Sequence, residues 1–379
     1  MDGNRHIPDD ILHNILARLP GKPLLRFRCV STHWNRLISD PYFMKSRSRR
    51  MIMLKYPSPL AVIDANVPVD DKAHSMVKVP SLLDEYNFVS MVGTFNGIVI
   101  LVLIDMSLRS HMILYNPLTR ASKTLDVMDP QPPGWTFRLP HRYGFDTNDL
   151  QIVRFVECGH PPGGQRFKCD VFDLKTSSWS KSPHYLKKEF FFWGDGGVFL
   201  NGCLYWTISL MNMGIIAFNI KEMAFSHITL PHGYHSMEII PITRRITDCQ
   251  GAVLGSLDGR GLCLITKDDT ITFNVWVMNK PGVENLWLKT FTFTLGIEGD
   301  RFYEFHPMCI LDKGIILLRS KGSHQLVTYD MSKDTFRNLN GLASLDDFED
   351  KDTMHCDRIR IHPIEYVESL VSPSDICVV

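Results

Sequence analysis

Residues 7–44 read IPDDILHNILARLPGKPLLRFRCVSTHWNRLISDPYFM. Apolar side chains at Ile11, Leu12, Ile15, Leu16 and Leu19 recur with helical rather than strand spacing, in one stripe about 140° wide. Asp9 and Asp10 place negative charge at the positive end of that helix, behind Pro8, and Pro20-Gly21 stop it. A second helix is expected from about Pro23, carrying Leu24, Leu25, Phe27, Cys29 and Val30. Ser31 is placed to cap a third, with Trp34, Leu37 and Ile38 on one side and Asp40-Pro41 as its end. Three helices of this size cannot enclose so much apolar surface, so the unit is marginal unless something else covers part of it.

The chain beyond residue 50 is too long for one ordinary two-layer core and shows a repeat. Asn96-Gly97, Asn201-Gly202, Asp258-Gly259 and Asp312-Lys313-Gly314 each sit between apolar runs, as hairpin turns do. The intervals are 105, 57 and 54 residues, so one unit near residues 143–180 lacks its turn signal. After each turn comes a second tag: an apolar run, an Asn or Asp, a polar turn, then a strand with an aromatic. Its instances are Tyr115-Asn116, Phe172-Asp173 with Trp179, Phe218-Asn219 with Phe225, Met278-Asn279 with Trp287, and Tyr329-Asp330 with Phe336. Asp173 and Asp330 can close their own turns through side-chain hydrogen bonds. Units of about 53 residues built as antiparallel meanders point to a kelch-like β-propeller. Five blades are readable, and segments 51–56 and 359–370 can combine into a sixth that closes the ring. A twisted β-sandwich of the same strands is the alternative.

The first 50 residues hold ten Lys and Arg against four Asp, a charge of +6; the chain balances 41 against 41, which leaves −6 on the rest. A basic helical head admits a helix-turn-helix DNA reader, or a structural subdomain packed on its own chain. Yet Arg18, Arg26, Arg28 and Arg36 are spread over three helices, and no one helix gathers side chains for base edges. An acidic protein partner suits the charge as well as phosphate does.

The run Ile7-Pro8-Asp9-Asp10-Ile11 through Ile15-Leu16, Leu19-Pro20, Leu24-Leu25, Phe27-Arg28-Cys29-Val30-Ser31 and Trp34 to Asp40-Pro41 resembles an F-box of the plant type, with Ile7 where Leu is usual. The body resembles the F-box-associated interaction domain of the same proteins. Tyr115-Asn116-Pro117-Leu118-Thr119, Tyr143-Gly144-Phe145-Asp146 and Val275-Trp276-Val277-Met278 followed by Trp287 and Lys289 carry that likeness. Phe95 stands where Cys usually precedes Asn-Gly, and Lys280-Pro281 where an aromatic is frequent. The resemblance implies an F-box at 1–50, a target-binding β domain at 51–379, and no catalytic residues. It further implies docking to a Skp-type adaptor, and through it to cullin and a RING protein, as the substrate receptor of a ubiquitin ligase whose unidentified target is sent to the proteasome. Carried over by position, the adaptor contacts are Pro8, Ile11, Ile15, Leu16, Leu19, Pro20, Leu24, Leu25, Cys29, Val30 and Trp34.

Other function classes find little support. The competing readings are a propeller-fold hydrolase and a nucleic-acid-binding protein, each with a merely structural head. None of the nucleophile-elbow, phosphate-loop or zinc-protease motifs occurs, and no Cys/His set has zinc spacing. His232 and His235 lack a nearby Cys or carboxylate and read as loop residues; the acidic run 346–352 lacks the glycine of a calcium loop. No metal or cofactor is expected, and no nucleic-acid partner. With no 18-residue apolar run and no signal-peptide core, neither a membrane span nor secretion is expected. Nine cysteines without a C-x-x-C pair suit reduced thiols in cytoplasm or nucleus; Cys29, Cys203, Cys263 and Cys309 read as core residues. In the run Phe190–Trp193, strand alternation sends one side away from any single sheet face, which makes Phe190 and Phe192 candidates for an exposed target-binding patch.

Overall fold

The computed structural model describes residues 7–47, 49–55, 61–64, 86–105, 110–125, 142–158, 166–181, 186–187, 190–209, 213–231, 252–257, 261–268, 271–278, 287–295, 304–321, 326–339 and 362–376. Four short helices come first: α1 (Asp9–Ala17), α2 (Gly21–Phe27), α3 (Thr32–Ser39) and α4 (Pro41–Arg47). The Ser31 hydroxyl caps α3 by accepting from the Trp34 amide at 3.1 Å. Asp40 was expected only to end α3. Its carboxylate also accepts from the Tyr42 amide at 2.7 Å and opens α4, for which Pro41 is a suitable first residue. Leu12, Leu16, Leu24, Ile38, Phe43 and Met44 form the core of this head, and Leu118 and Leu370 of the β domain complete it.

Strands fill the rest: β1 (Arg50–Lys55), β2 (Ala61–Asp64), β3 (Tyr86–Phe95), β4 (Ile98–Asp105), β5 (Ser110–Tyr115), β6 (Ser122–Leu125), β7 (Arg142–Asp146), β8 (Gln151–Cys158), β9 (Arg166–Asp173), β10 (Ser178–Lys181), β11 (Leu186–Lys187) and β12 (Phe191–Leu200). They continue as β13 (Cys203–Ser209), β14 (Met213–Asn219), β15 (Ala224–Thr229), β16 (Ala252–Leu257), β17 (Gly261–Lys267), β18 (Thr272–Met278), β19 (Leu288–Thr294), β20 (Glu304–Leu311), β21 (Ile315–Lys321), β22 (Leu326–Asp330), β23 (Thr335–Asn338) and β24 (His362–Val367). Five meanders of consecutive antiparallel strands are the blades β3–β6, β7–β10, β12–β15, β16–β19 and β20–β23. The sixth has the order β2-β1-β24, so that the two ends of the domain close the ring by antiparallel pairing. Each innermost strand lies against the next, β24 on β3, β3 on β7, β7 on β12, β12 on β16, β16 on β20 and β20 on β24. A ring of six small sheets, not a two-layer sandwich, is what forms.

The two sequence tags turn out to be the two tight turns of a blade. Asn96-Gly97 and Asn201-Gly202 have φ of 46° and 76°, and 50° and 77°, the pair of left-handed residues that a two-residue hairpin needs. Lys313 and Gly314 do the same at 61° and 68°. Asp258-Gly259 lies outside the described residues. In the blade without this signal, Asp146 takes over: its carboxylate accepts from the Asn148 and Asp149 amides at 2.8 and 3.3 Å. The second tag joins third strand to fourth by the same device. Asn116 accepts from Leu118 and Thr119, Asp173 from Lys175 and Thr176, Asn219 from Glu222, and Asp330 from Ser332. Four residues after each such side chain the backbone is left-handed, at Arg120, Leu150, Ser177, Met223 and Asp334. The aromatics that follow stack on those that precede: Trp179 on Phe172, Phe225 on Phe218 and Phe336 on Tyr329, with centroids 5.0, 4.9 and 4.6 Å apart.

Because strands within a blade alternate in direction, both sets of tight turns lie on one face of the ring. The head joins that face, for α4 runs into β1 at the end where β24 finishes.

The second and third blades are joined more closely than the others. Gly196 and Gly197 of β12 pair in parallel with Tyr143 and Gly144 of β7, and the Trp206 indole N–H donates to the Tyr143 carbonyl at 3.2 Å. A β-carbon on Gly197 would stand 2.5 Å from the Trp206 ring. Burial pushes the Cys263 thiol up to about 12 and raises that of Cys169 and of the half-buried Cys309 as well. Cys29 departs from the expected core role and is exposed.

Gly197→Ala is expected to cost roughly 1–3 kcal/mol of ring stability through overpacking on Trp206, measured by urea unfolding. Bonds from the Ser332 hydroxyl and Lys333 lower the Asp330 carboxyl from 3.8 to about 2. The stability it contributes is fully present above its ordinary value and lost as pH falls through about 2. An Asp330→Asn variant should show a shallower loss of stability in that acid range than the parent.

Candidate functional site

On α1 the two sides of the helix are both apolar, and they face different ways. Leu12 and Leu16 point into the head and are buried, whereas Ile11 and Ile15, one turn apart, are each 49% exposed. Ile7, just ahead of the helix, is 47% exposed, and Val30, in the turn after α2, 59%. Pro8, Pro20 and Cys29 are exposed as well, while Leu19, Leu25 and Trp34 are half-buried. Trp34 packs edge-on against Phe27 with centroids 5.6 Å apart.

Nine of the eleven residues named from the sequence therefore reach the surface of the head. Leu16 and Leu24 do not: both have zero exposure and form its core, so they hold the outer face in place without belonging to it. Tyr42, which the sequence reading passed over, is 76% exposed at the start of α4. The signal for it was the same Asp40-Pro41 pair that reads equally as a stop and a start.

Polar contacts tie the helices across this region. The His33 ring meets the Asp9 carboxylate at 3.0 Å, linking α3 to the start of α1, and Arg28 donates to Asn35 at 2.9 Å. The head's positive charge is divided. Arg18, Lys22, Arg26 and Arg36 are exposed. Arg47, Arg49 and Arg50 instead pair with Glu368, Asp64 and Glu365, in or next to the closing blade, so these three cations face the ring.

The proposed aromatic patch is not a surface. Phe190 is buried and Phe192 partly so, each packed on Phe167 at 5.4 and 5.5 Å, with Phe192 also 4.7 Å from Phe155. Alternation does put residues 190 and 192 on one side of their strand, but that side faces the seam between the second and third blades. His232, His235 and residues 346–352 lie outside the described residues. Among the described residues, no three His, Cys, Asp or Glu side chains are grouped to hold a metal ion.

Comparison with known families agrees with this architecture. The F-box domain matches residues 5–46, and the F-box associated beta propeller domain matches residues 50–373. F-box protein At4g22390 of Arabidopsis thaliana is 24% identical over 356 residues, covering 86% of this chain and 83% of that protein. F-box protein CPR1 of the same plant is 25% identical over 364 residues, covering 86% and 82%. The Arabidopsis F-box/kelch-repeat protein At3g23880 is 22% identical over 352 residues, covering 87% and 89%. With both domains matched in order and the second spanning most of its length, the chain belongs to the F-box proteins that carry an F-box-associated β-propeller.

Proposed function

We propose that the chain is the substrate-receptor subunit of a Skp–cullin–F-box ubiquitin ligase, with residues 1–50 docking to a Skp-type adaptor and residues 51–379 holding a target protein. Through the adaptor it joins cullin and a RING protein, and the target is ubiquitinated for proteasomal degradation in cytoplasm or nucleus. The chain itself is non-catalytic; its contribution is to raise the effective concentration of target near a ubiquitin-loaded enzyme. The observation that carries this reading is the outward apolar side of the head: Ile7, Ile11, Ile15 and Val30, each about half exposed, on a unit whose inner side is already filled. Membership of the F-box family supports the same assignment.

Burial of one such side chain contributes on the order of 2 kcal/mol, so a few anchors suffice for tight association. Ile11→Asp combined with Ile15→Asp should weaken co-purification with a Skp-type adaptor roughly a hundred-fold or more, since each charge would be buried without a partner. Circular dichroism of the variant should match the parent, because both positions are outside the core. Unchanged adaptor capture by that variant would overturn the assignment. Leu16→Ala should behave differently: a loss of roughly 2–5 kcal/mol in head stability, read as early melting of the helices.

A further inference from the structure

The junction between head and ring is built as a joint rather than a tether. Only two residues separate the last residue of α4 from the first of β1. The Arg47 side chain is buried and bridges three elements: it donates to the Leu19 carbonyl at 2.6 Å and the Ala17 carbonyl at 3.4 Å, both at the end of α1, and meets Glu368 at 3.5 Å. Glu368 is buried too, and its amide donates to the Arg49 carbonyl at 3.0 Å. Arg49 in turn pairs with the buried Asp64. Gly21, where α2 begins, is seated so closely that a β-carbon would lie 2.4 Å from the Leu118 side chain and 2.6 Å from the Glu368 carboxylate.

The ring side of the joint is itself braced. Asn116 uses its carbonyl oxygen for its own turn and its amide nitrogen to donate to the Ser369 and Val371 carbonyls at 3.0 and 2.8 Å. The Ser369 hydroxyl donates to the Asn96 carbonyl, in the neighbouring hairpin turn. Swinging the head away would therefore expose Leu118 and Leu370 and separate two buried charges. Breaking such a pair is far more costly than the pair is stabilising, because it strands an uncompensated ion.

We infer that Gly21, Arg47 and Glu368 are positioning residues that hold the head on the tight-turn face of the ring in a single orientation. The outward apolar side of the head and the opposite face of the ring then keep a constant separation. Its use in presenting a target to a charged enzyme rests on the receptor reading above; the rigidity does not.

Spin labels attached by a cysteine-independent chemistry at exposed positions 14 and 175 of the full chain test this through pulsed electron resonance distances. The parent should give one narrow distance distribution. Arg47→Met should lose that single peak in favour of a broad spread. Gly21→Val, which leaves the contacts of Arg47 with the α1 carbonyls in place, should do the same by wedging against Leu118 and Glu368. Both should still capture a Skp-type adaptor, as neither residue lies on the exposed apolar side. A broad distribution in the parent, or a narrow one in both variants, overturns the joint. A narrow parent distribution without adaptor capture upholds the joint and overturns only the receptor reading.

Discussion

Backbone pairing between residues 50–55 and 362–367 holds the ring shut, from Arg50 opposite Val367 to Lys55 opposite His362. Without it β1 and β2 would have no inner strand to lean on, and the first and last meanders would each present an unpaired edge to solvent. Closure also sets the position of everything at the junction, since β1 follows directly from the last helix and β24 leads directly into Glu368. One ladder of hydrogen bonds thus decides the ring's integrity and the seat of the head. It joins residues more than 300 positions apart in sequence, a closure that costs chain entropy.

Within the ring, repetition works through turn chemistry more than through shared core residues. The blades β3–β6, β7–β10, β12–β15 and β20–β23 each have an Asn or Asp that accepts backbone amide hydrogens two or three residues ahead and a left-handed residue four ahead. That second position is occupied by Arg, Leu, Ser, Met and Asp in different turns, so the capping side chain, not glycine, enforces the bend. The cross-strand aromatic pairs then fix the outermost strands, which have little other burial.

Those turns explain why the blade architecture was legible in the sequence. Asn-Gly pairs and Asx turns are local, and their intervals report the period without any knowledge of packing. The head was legible for a similar reason, as helical periodicity and the Ser31 cap are short-range signals. What escaped was long-range. Arg47, Arg49 and Arg50 count in the sequence only toward the charge of the head, yet Arg50 meets a carboxylate 315 residues away. The sidedness of Phe190 and Phe192 escaped as well, because alternation says that two sides differ and not which one a neighbouring blade will cover. Leu16 and Leu24 match a family pattern by position, and only the packed head shows that they are its interior.

Assembling the last blade from both ends of the domain ties its completion to the synthesis of residues 362–367. A ribosome delivers residue 50 more than 300 residues ahead of residue 367. A message cut short before residue 362 would thus encode finished helices beside an open circle, with β1 left as a bare edge and no Glu368 for Arg47 to meet.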